Sequence, residues 1–250
     1  MRTILLLLLV TTFFIACKDK EETLTTNLDV TFKSTFDGSQ LIKYHDYTFN
    51  GYPLEISRFT VFLSDITLLK GNSETLMSEV EYLDFTPDNA TSDTSKLIKV
   101  SFKNVPQGEY TGIKIGYGVK PSNNAKSPAD FPASNPLAND NEYWIGWHSY
   151  IFSKIEGQGD ADNDGQFDHF LVYHTGSDGV YKTFTFTQSI HVHAGQKGLQ
   201  VEFDIKKVFA WDDGRPYNLV ADPITSNNRD SIRVANDLMN HFGKATTITQ

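Results

Sequence analysis

A chain of 250 residues carrying 31 acidic against 22 basic side chains, net charge −9, repels polyanions. That balance excludes nucleic acid as an expected partner, because such affinity rests on a basic footprint that neutralises phosphates. The length suits one large β-rich domain, aromatic residues at 13% can fill a sizeable core, and the single cysteine, Cys17, excludes a disulfide within the chain.

The chain opens with a basic residue, Arg2, followed by the apolar run Ile4 to Val10, which Phe13, Phe14 and Ile15 extend to Ala16 and Cys17. The run is too short for a stop-transfer helix. Phe14-Ile15-Ala16-Cys17 resembles a lipobox, in which a small residue precedes a cysteine that is diacylated and becomes the mature N-terminus. Residues 1–16 are therefore expected to be a lipoprotein signal peptide, and 17–26 the lipidated Cys17 with a polar tether through Lys18, Asp19, Lys20, Glu21 and Glu22. The acidic start of that tether resembles the surface-export signal of Bacteroidota lipoproteins. The expected location is the outer membrane, facing periplasm or cell surface and held only by lipid. Removing Arg2 with the signal moves the net charge from −9 to −10. No Gly/Ser-rich or Pro-rich linker follows, so residues 27–250 are read as a single β domain.

Within that domain the dominant period is two. Leu28, Val30 and Phe32 alternate with polar neighbours, as do Ile98, Val100 and Phe102, in the manner of half-buried strands. Similar patterns cover 58–69, 78–85, 110–119, 168–175, 180–188 and 198–209, each bounded by turn residues such as Lys70-Gly71-Asn72 and Gly176-Ser177-Asp178-Gly179. The expected fold is all-β, an antiparallel sandwich or barrel-like domain. Residues 120–141, rich in Pro, Asn, Ser and Ala, read as a long surface loop. Ile232, Ala235, Leu238, Met239 and Phe242 recur at helical spacing, predicting a short C-terminal helix over 230–242 with Asn228 or Asp230 as its cap.

Two constellations carry chemistry. In Asp160-Ala-Asp162-Asn-Asp164-Gly165-Gln166-Phe-Asp168, carboxylates stand at positions 1, 3, 5 and 9, a glycine at 6 allows a sharp turn, and Gln166 offers its carbonyl at 7. Such convergence of hard oxygens suits a structural calcium ion. Position 12 is Leu171, so the loop is not a complete EF-hand, and a solvated acidic turn is the alternative. The second constellation is histidine. In His191-Val192-His193 two imidazoles leave the same face of a strand, where both could reach one soft or borderline metal or simply line an exposed edge. His174 is in phase with Phe170 and Val172, which predicts an inward ring.

The segments Arg58 to Ile66, Gly108-Glu109-Tyr110, Tyr143 to Gly157 and Phe170 to Ser177 together resemble the MbnP-like copper-binding proteins, in matching order over roughly residues 27–245. That resemblance implies a periplasmic or surface β protein with copper held among histidines and a tryptophan oxidised by a partner dihaem peroxidase. By position it carries over Trp144, Tyr150, Phe152 and His174, the last in the family's His-x-Gly strand. In the family pattern a second tryptophan follows the first by two residues and a glycine precedes the tyrosine; here those positions are Gly146 and Ser149, with Trp147 displaced by one. Trp144 and Trp147 are thus the redox-modifiable candidates, and His174, His193 and His191 the copper candidates, expected to converge near the tryptophan segment.

Two functions from different classes follow: a lipoprotein that binds copper for uptake or storage with a structural calcium loop, or a calcium-stabilised surface module that takes a glycan or protein through its aromatic and Asn-rich loops. No Ser-His-Asp order, nucleotide loop or HExxH string points to an enzyme.

Overall fold

The computed structural model describes residues 23–86, 97–210, 216–221, 223–225 and 232–250. Cys17, the signal segment and the proposed caps Asn228 and Asp230 lie outside the described residues. The chain begins with β1 (Thr25–Phe36), β2 (Ser39–Gln40), β3 (Tyr47–Phe49), β4 (Tyr52–Lys70), β5 (Ser73–Asp84), β6 (Ile98–Pro106) and β7 (Gly108–Tyr117). A one-turn helix α1 (Pro121–Asn124) is followed by β8 (Tyr143–Trp144), β9 (Ser149–Gly159), β10 (His169–Gly176), β11 (Lys182–Val192) and β12 (Leu199–Asp204). The short helix α2 (Ile205–Val208), β13 (Ile224–Thr225), α3 (Ile232–Ala245) and β14 (Thr246–Thr249) complete it.

These strands form two packed sheets. One runs β14-β12-β1-β2, with β6 also on β1; the other runs β11-β7-β4-β9-β10-β13, with β3 and β5 on β4 and β8 on β9. Pairing is antiparallel except for β1 with β12 and β10 with β13. The long β4 is the hub. Its first half pairs with β9 from Leu54 to Val61, and its second half pairs with β7 from Leu63 to Leu69. Register shifts fall between Ile56 and Arg58 and between Ser64 and Thr67, and Asp65 has φ 48°. Such bulges bend a strand and increase its twist.

Alternation along β4 therefore serves two cores. Phe59 stacks on Phe85 and Phe242 and meets Phe203 edge-on between the sheets. Ala235, Leu238, Met239 and Phe242 of α3 are all buried there, as their spacing predicts. Phe62, pointing the other way, packs on Tyr82 and Tyr150. The segment 118–148 folds over this outer face, with Leu137 fully buried and Phe131 and Tyr143 edge-on to Tyr150. The predicted surface loop is thus a packed cover, built from α1 and short 3-10 turns that start at Pro121, Pro128 and Pro136, where the fixed φ of proline favours a first helical position.

A buried ion pair ties the cover down. Glu142 and Lys154 have side chains only 2% and 7% exposed and stand 2.9 Å apart. Lys154 Nζ also donates to the Asn141 carbonyl, and the Tyr82 hydroxyl donates to Glu142 at 2.9 Å. Burial and the neighbouring Glu142 charge push the Tyr82 phenol well above its ordinary range.

The 198–209 strand expected from sequence stops at Asp204. Its neighbour β1 ends soon after Thr35, the partner of Asp204, and turns through Asp37 and Gly38 with positive φ, so the ladder has nothing left to bond.

Removing one member of a buried pair leaves the other charge uncompensated, at a cost of about 3–5 kcal/mol. Glu142→Gln is expected to lower the denaturant midpoint accordingly, and adding Lys154→Met should recover much of the loss. Equal midpoints for wild type and Glu142→Gln would show that the pair does not hold the cover.

Candidate metal centres

His174 faces outward, not inward. In β10 the buried positions are Leu171, Tyr173 and Thr175, whereas Phe170 is 68% exposed, so the phase shared by Phe170, Val172 and His174 belongs to the outer face. There His174 stands opposite Lys154 of β9, which stands opposite Thr60 of β4. Its Nε2 lies 2.8 Å from Glu156 Oε1, and Glu156 lies within 3.6 Å of Arg58, whose other terminal nitrogen is 3.8 Å from Glu142. The hydrogen bond from His174 holds the Glu156 carboxyl below the usual carboxylate range; burial opposes this, and the charge of Arg58 adds to it. Among the described residues, His174 Nδ1 has no hydrogen-bond partner.

The tryptophans sit at the neighbouring end of the same strands. Trp144 is 54% exposed and Trp147 partly buried, with ring centroids 6.3 Å apart. A Cβ on Gly176 would lie 3.2 Å from the Trp147 ring and 2.6 Å from the Tyr150 carbonyl, so Trp147 is seated on the strand end two residues beyond His174. Ser177 N donates to Ser149 Oγ at 2.9 Å, locking this strap to β10. His148 is exposed on the strap with φ 50°.

His191 and His193 are elsewhere. His191 is on β11, opposite Glu109 of β7, with its Nδ1 against the Glu109 carboxylate. His193 lies just beyond β11, its Nδ1 3.1 Å from the Ala194 carbonyl. Both line a shallow surface groove with Gln188, Gln196, Lys197 and Gln250. In register, β7 meets β4 at Leu69 through Gly112, while His174 lies level with Thr60 one strand away across β9, which leaves roughly 30 Å of strand between the two places. The expected convergence of His174 with His191 or His193 does not occur, because strand spacing in sequence does not reveal which segments of β4 each neighbour flanks.

The Asp-rich segment joins β9 to β10. Asp160 is buried, its N–H donating to the Pro53 carbonyl, while its carboxylate accepts from Asp164 N at 3.0 Å and Gly165 N at 2.9 Å. Asn163 and Gly165 take positive φ of 59° and 88°, the left-handed geometry that lets so short a turn fold its side chains inward. Asp160, Asp162 and Asp164 bring carboxylate oxygens within 4.8 Å of one another, and this is the one group of three or more His, Cys, Asp or Glu side chains among the described residues that could share an ion. Asp168 is outside it: its carboxylate pairs with His169 Nδ1 at 2.9 Å, and its N–H donates to the Gln166 carbonyl. The oxygen chemistry fits a hard divalent cation. Among the described residues no such set of three is assembled around His174.

Sequence reasoning missed Glu156, Arg58, Lys154 and Glu142 as parts of this centre. For Lys154 and Glu156 the signal was the charge inside Phe152-Ser153-Lys154-Ile155-Glu156, a segment too apolar for a solvated strand.

No curated protein matches the sequence. Among solved structures, the fold is similar to MbnP from Methylosinus trichosporium, with a TM-score of 0.60 at 14% identity over 90% of this chain and 98% of that one. The family model for MbnP matches residues 25–246, and the chain therefore belongs to the MbnP family.

Proposed function

We propose that this protein is an extracytoplasmic lipoprotein, anchored through Cys17 to the outer membrane, that binds copper at the His174 end of the β9–β10 pair for uptake or storage and performs no catalysis. The observation that carries the reading is the His174 ring, one nitrogen held by Glu156 and the other without a hydrogen-bond partner among the described residues, two residues before the strand end where Trp147 is seated. Neutral imidazole is a good donor to copper. Exposure of Trp144 makes it the residue of the pair most open to an external oxidant, and family membership supports a dihaem peroxidase as that partner.

The β9–β10 turn supports a second, structural ion. Three aspartates held this close repel one another, and calcium with its preference for carboxylate and carbonyl oxygens would offset that repulsion. The exposed Trp144 and Ile145 favour one further reading, a calcium-stabilised module that binds a glycan or protein through this strap.

Copper binding is tested by competition titration against a Cu(I) chelator. His174→Ala is expected to lose at least tenfold in affinity, while the His191→Ala/His193→Ala double variant should match wild type, because those rings lie on a different part of the sheet. Equal affinity in wild type and His174→Ala, or none in either, would sink the copper reading and leave the binding module in front.

For calcium, chelation should lower the melting temperature. An ion present at 100 times its Kd stabilises by about 2.7 kcal/mol, which corresponds to roughly 5–10 °C for a domain of this size. Asp162→Ala should abolish the difference between calcium and chelator. A melt that ignores chelator in wild type would leave the turn as a solvated acidic loop.

A further inference from the structure

We propose that Glu156 is a positioning residue for His174: it holds the imidazole with the proton on Nε2 and so makes Nδ1 the ring atom that binds the metal. The identity of the bound metal rests on the copper reading above; the state of the ring does not.

Geometry on the outer face carries the argument. An ionised carboxylate has no proton to give, so the 2.8 Å contact between Glu156 Oε1 and His174 Nε2 requires Nε2 to be the donor. Glu156 is kept ionised by its surroundings. Arg58, which does not lose its proton, stands 3.6 Å from the same oxygen, an opposite charge that favours the ionised carboxylate. The other cation of the face is already committed. Lys154 is directly opposite His174 in the ladder, yet its ammonium is turned to Glu142 and the Asn141 carbonyl, so it does not compete for Glu156.

Glu156 and His174 are diagonal cross-strand neighbours, since Val172 is the residue opposite Glu156. Diagonal pairs stand about 7–8 Å apart, a span that a glutamate and an imidazole together can bridge while both stay extended along the sheet. In a neutral ring with Nε2 protonated, the lone pair left is on Nδ1, and Nδ1 is the atom with no hydrogen-bond partner among the described residues. A carboxylate behind a ligating histidine also raises the basicity of the donor nitrogen and brings negative charge toward a cation.

The test uses the full mature chain, labelled with nitrogen-15, near neutral pH. Without metal, the His174 ring is expected to show a slowly exchanging N–H proton on Nε2 and none on Nδ1. That resonance should vanish in Glu156→Leu and persist in Glu156→Gln, whose side-chain carbonyl can still accept. On adding Cu(I), Nδ1 should be the nitrogen whose resonance moves in wild type, and Glu156→Leu should bind 10–100-fold more weakly, the usual loss when such a supporting partner is removed. A proton on Nδ1 or on both nitrogens in the metal-free protein, displacement of Nε2 by Cu(I), or wild-type affinity in Glu156→Leu would each overturn the proposal. If Glu156→Leu does not fold, the wild-type protein decides: a proton on Nε2 alone with Nδ1 displaced by Cu(I) supports the assignment, and the reverse pattern in either measurement overturns it. Should wild type bind no Cu(I), the copper reading fails, and the metal-free spectrum still decides whether Glu156 sets the ring.

Discussion

The outer face depends on two charges that are buried together. Lys154 projects from the middle of β9 into a space closed by the cover segment, and an ammonium so placed costs several kcal/mol to desolvate unless it is paired and hydrogen-bonded. Glu142 supplies the pair and the Asn141 carbonyl a further acceptor, and both sit on the last turn of the cover. The cover must therefore descend onto β9 at that point. Its aromatic residues, Phe131 and Tyr143, then pack against Tyr150, and the second core around Phe62 closes. The same pairing decides what remains for His174. With Lys154 committed to Glu142, Glu156 is left to Arg58 and His174, and an imidazole is held beside an ionised carboxylate instead of facing an ammonium.

This arrangement places two chemically different features at opposite ends of one hairpin. The aspartates lie in the turn after Gly159, where β9 passes to β10; the tryptophan strap lies before Ser149, against Gly176 at the far end. His174 is between them, nearer the strap. A hard ion in the turn would fix the register of β9 and β10 from one end, and the Ser149 to Ser177 hydrogen bond fixes it from the other. A cross-strand pair such as Glu156 with His174 is sensitive to that register, because a slip of one residue would send one partner to the opposite face.

Much of the architecture was legible because most strands have one face in water or at a sheet edge, so Leu28-Val30-Phe32 and the α3 stripe announce their buried sides. The central strand β9 was not, since its cover buries both faces: Tyr150, Phe152 and Lys154 on one side, Ile151, Ser153 and Ile155 on the other, with no alternation to read. The same cause misled the phase of β10. Phe170 is apolar and suggests an inward face, but it projects into solvent at the uncovered end of the sheet. The Asp160 turn was legible as far as the convergence of Asp160, Asp162 and Asp164, because the bonds that fold those side chains inward are local, whereas Asp168 turns to its neighbour His169. The histidines were not, because whether His174 and His191 meet depends on the bend of β4, which lets β9 and β7 occupy successive halves of one edge.

The His-x-Gly element of β10 acquires a physical meaning from these contacts. His174 and Gly176 share the outer face, one contributing a ring and the other its lack of one. With a side chain at 176, the added carbon would strike the Tyr150 carbonyl and crowd Trp147, so the strap would be lifted from the strand end. His148 takes the left-handed conformation at φ 50°, and Gly146, whose missing side chain leaves room for the Trp144 indole nitrogen, lets the chain double back. The Trp147 indole is thereby returned to Gly176, and its distance along the strand from His174 is set by β10.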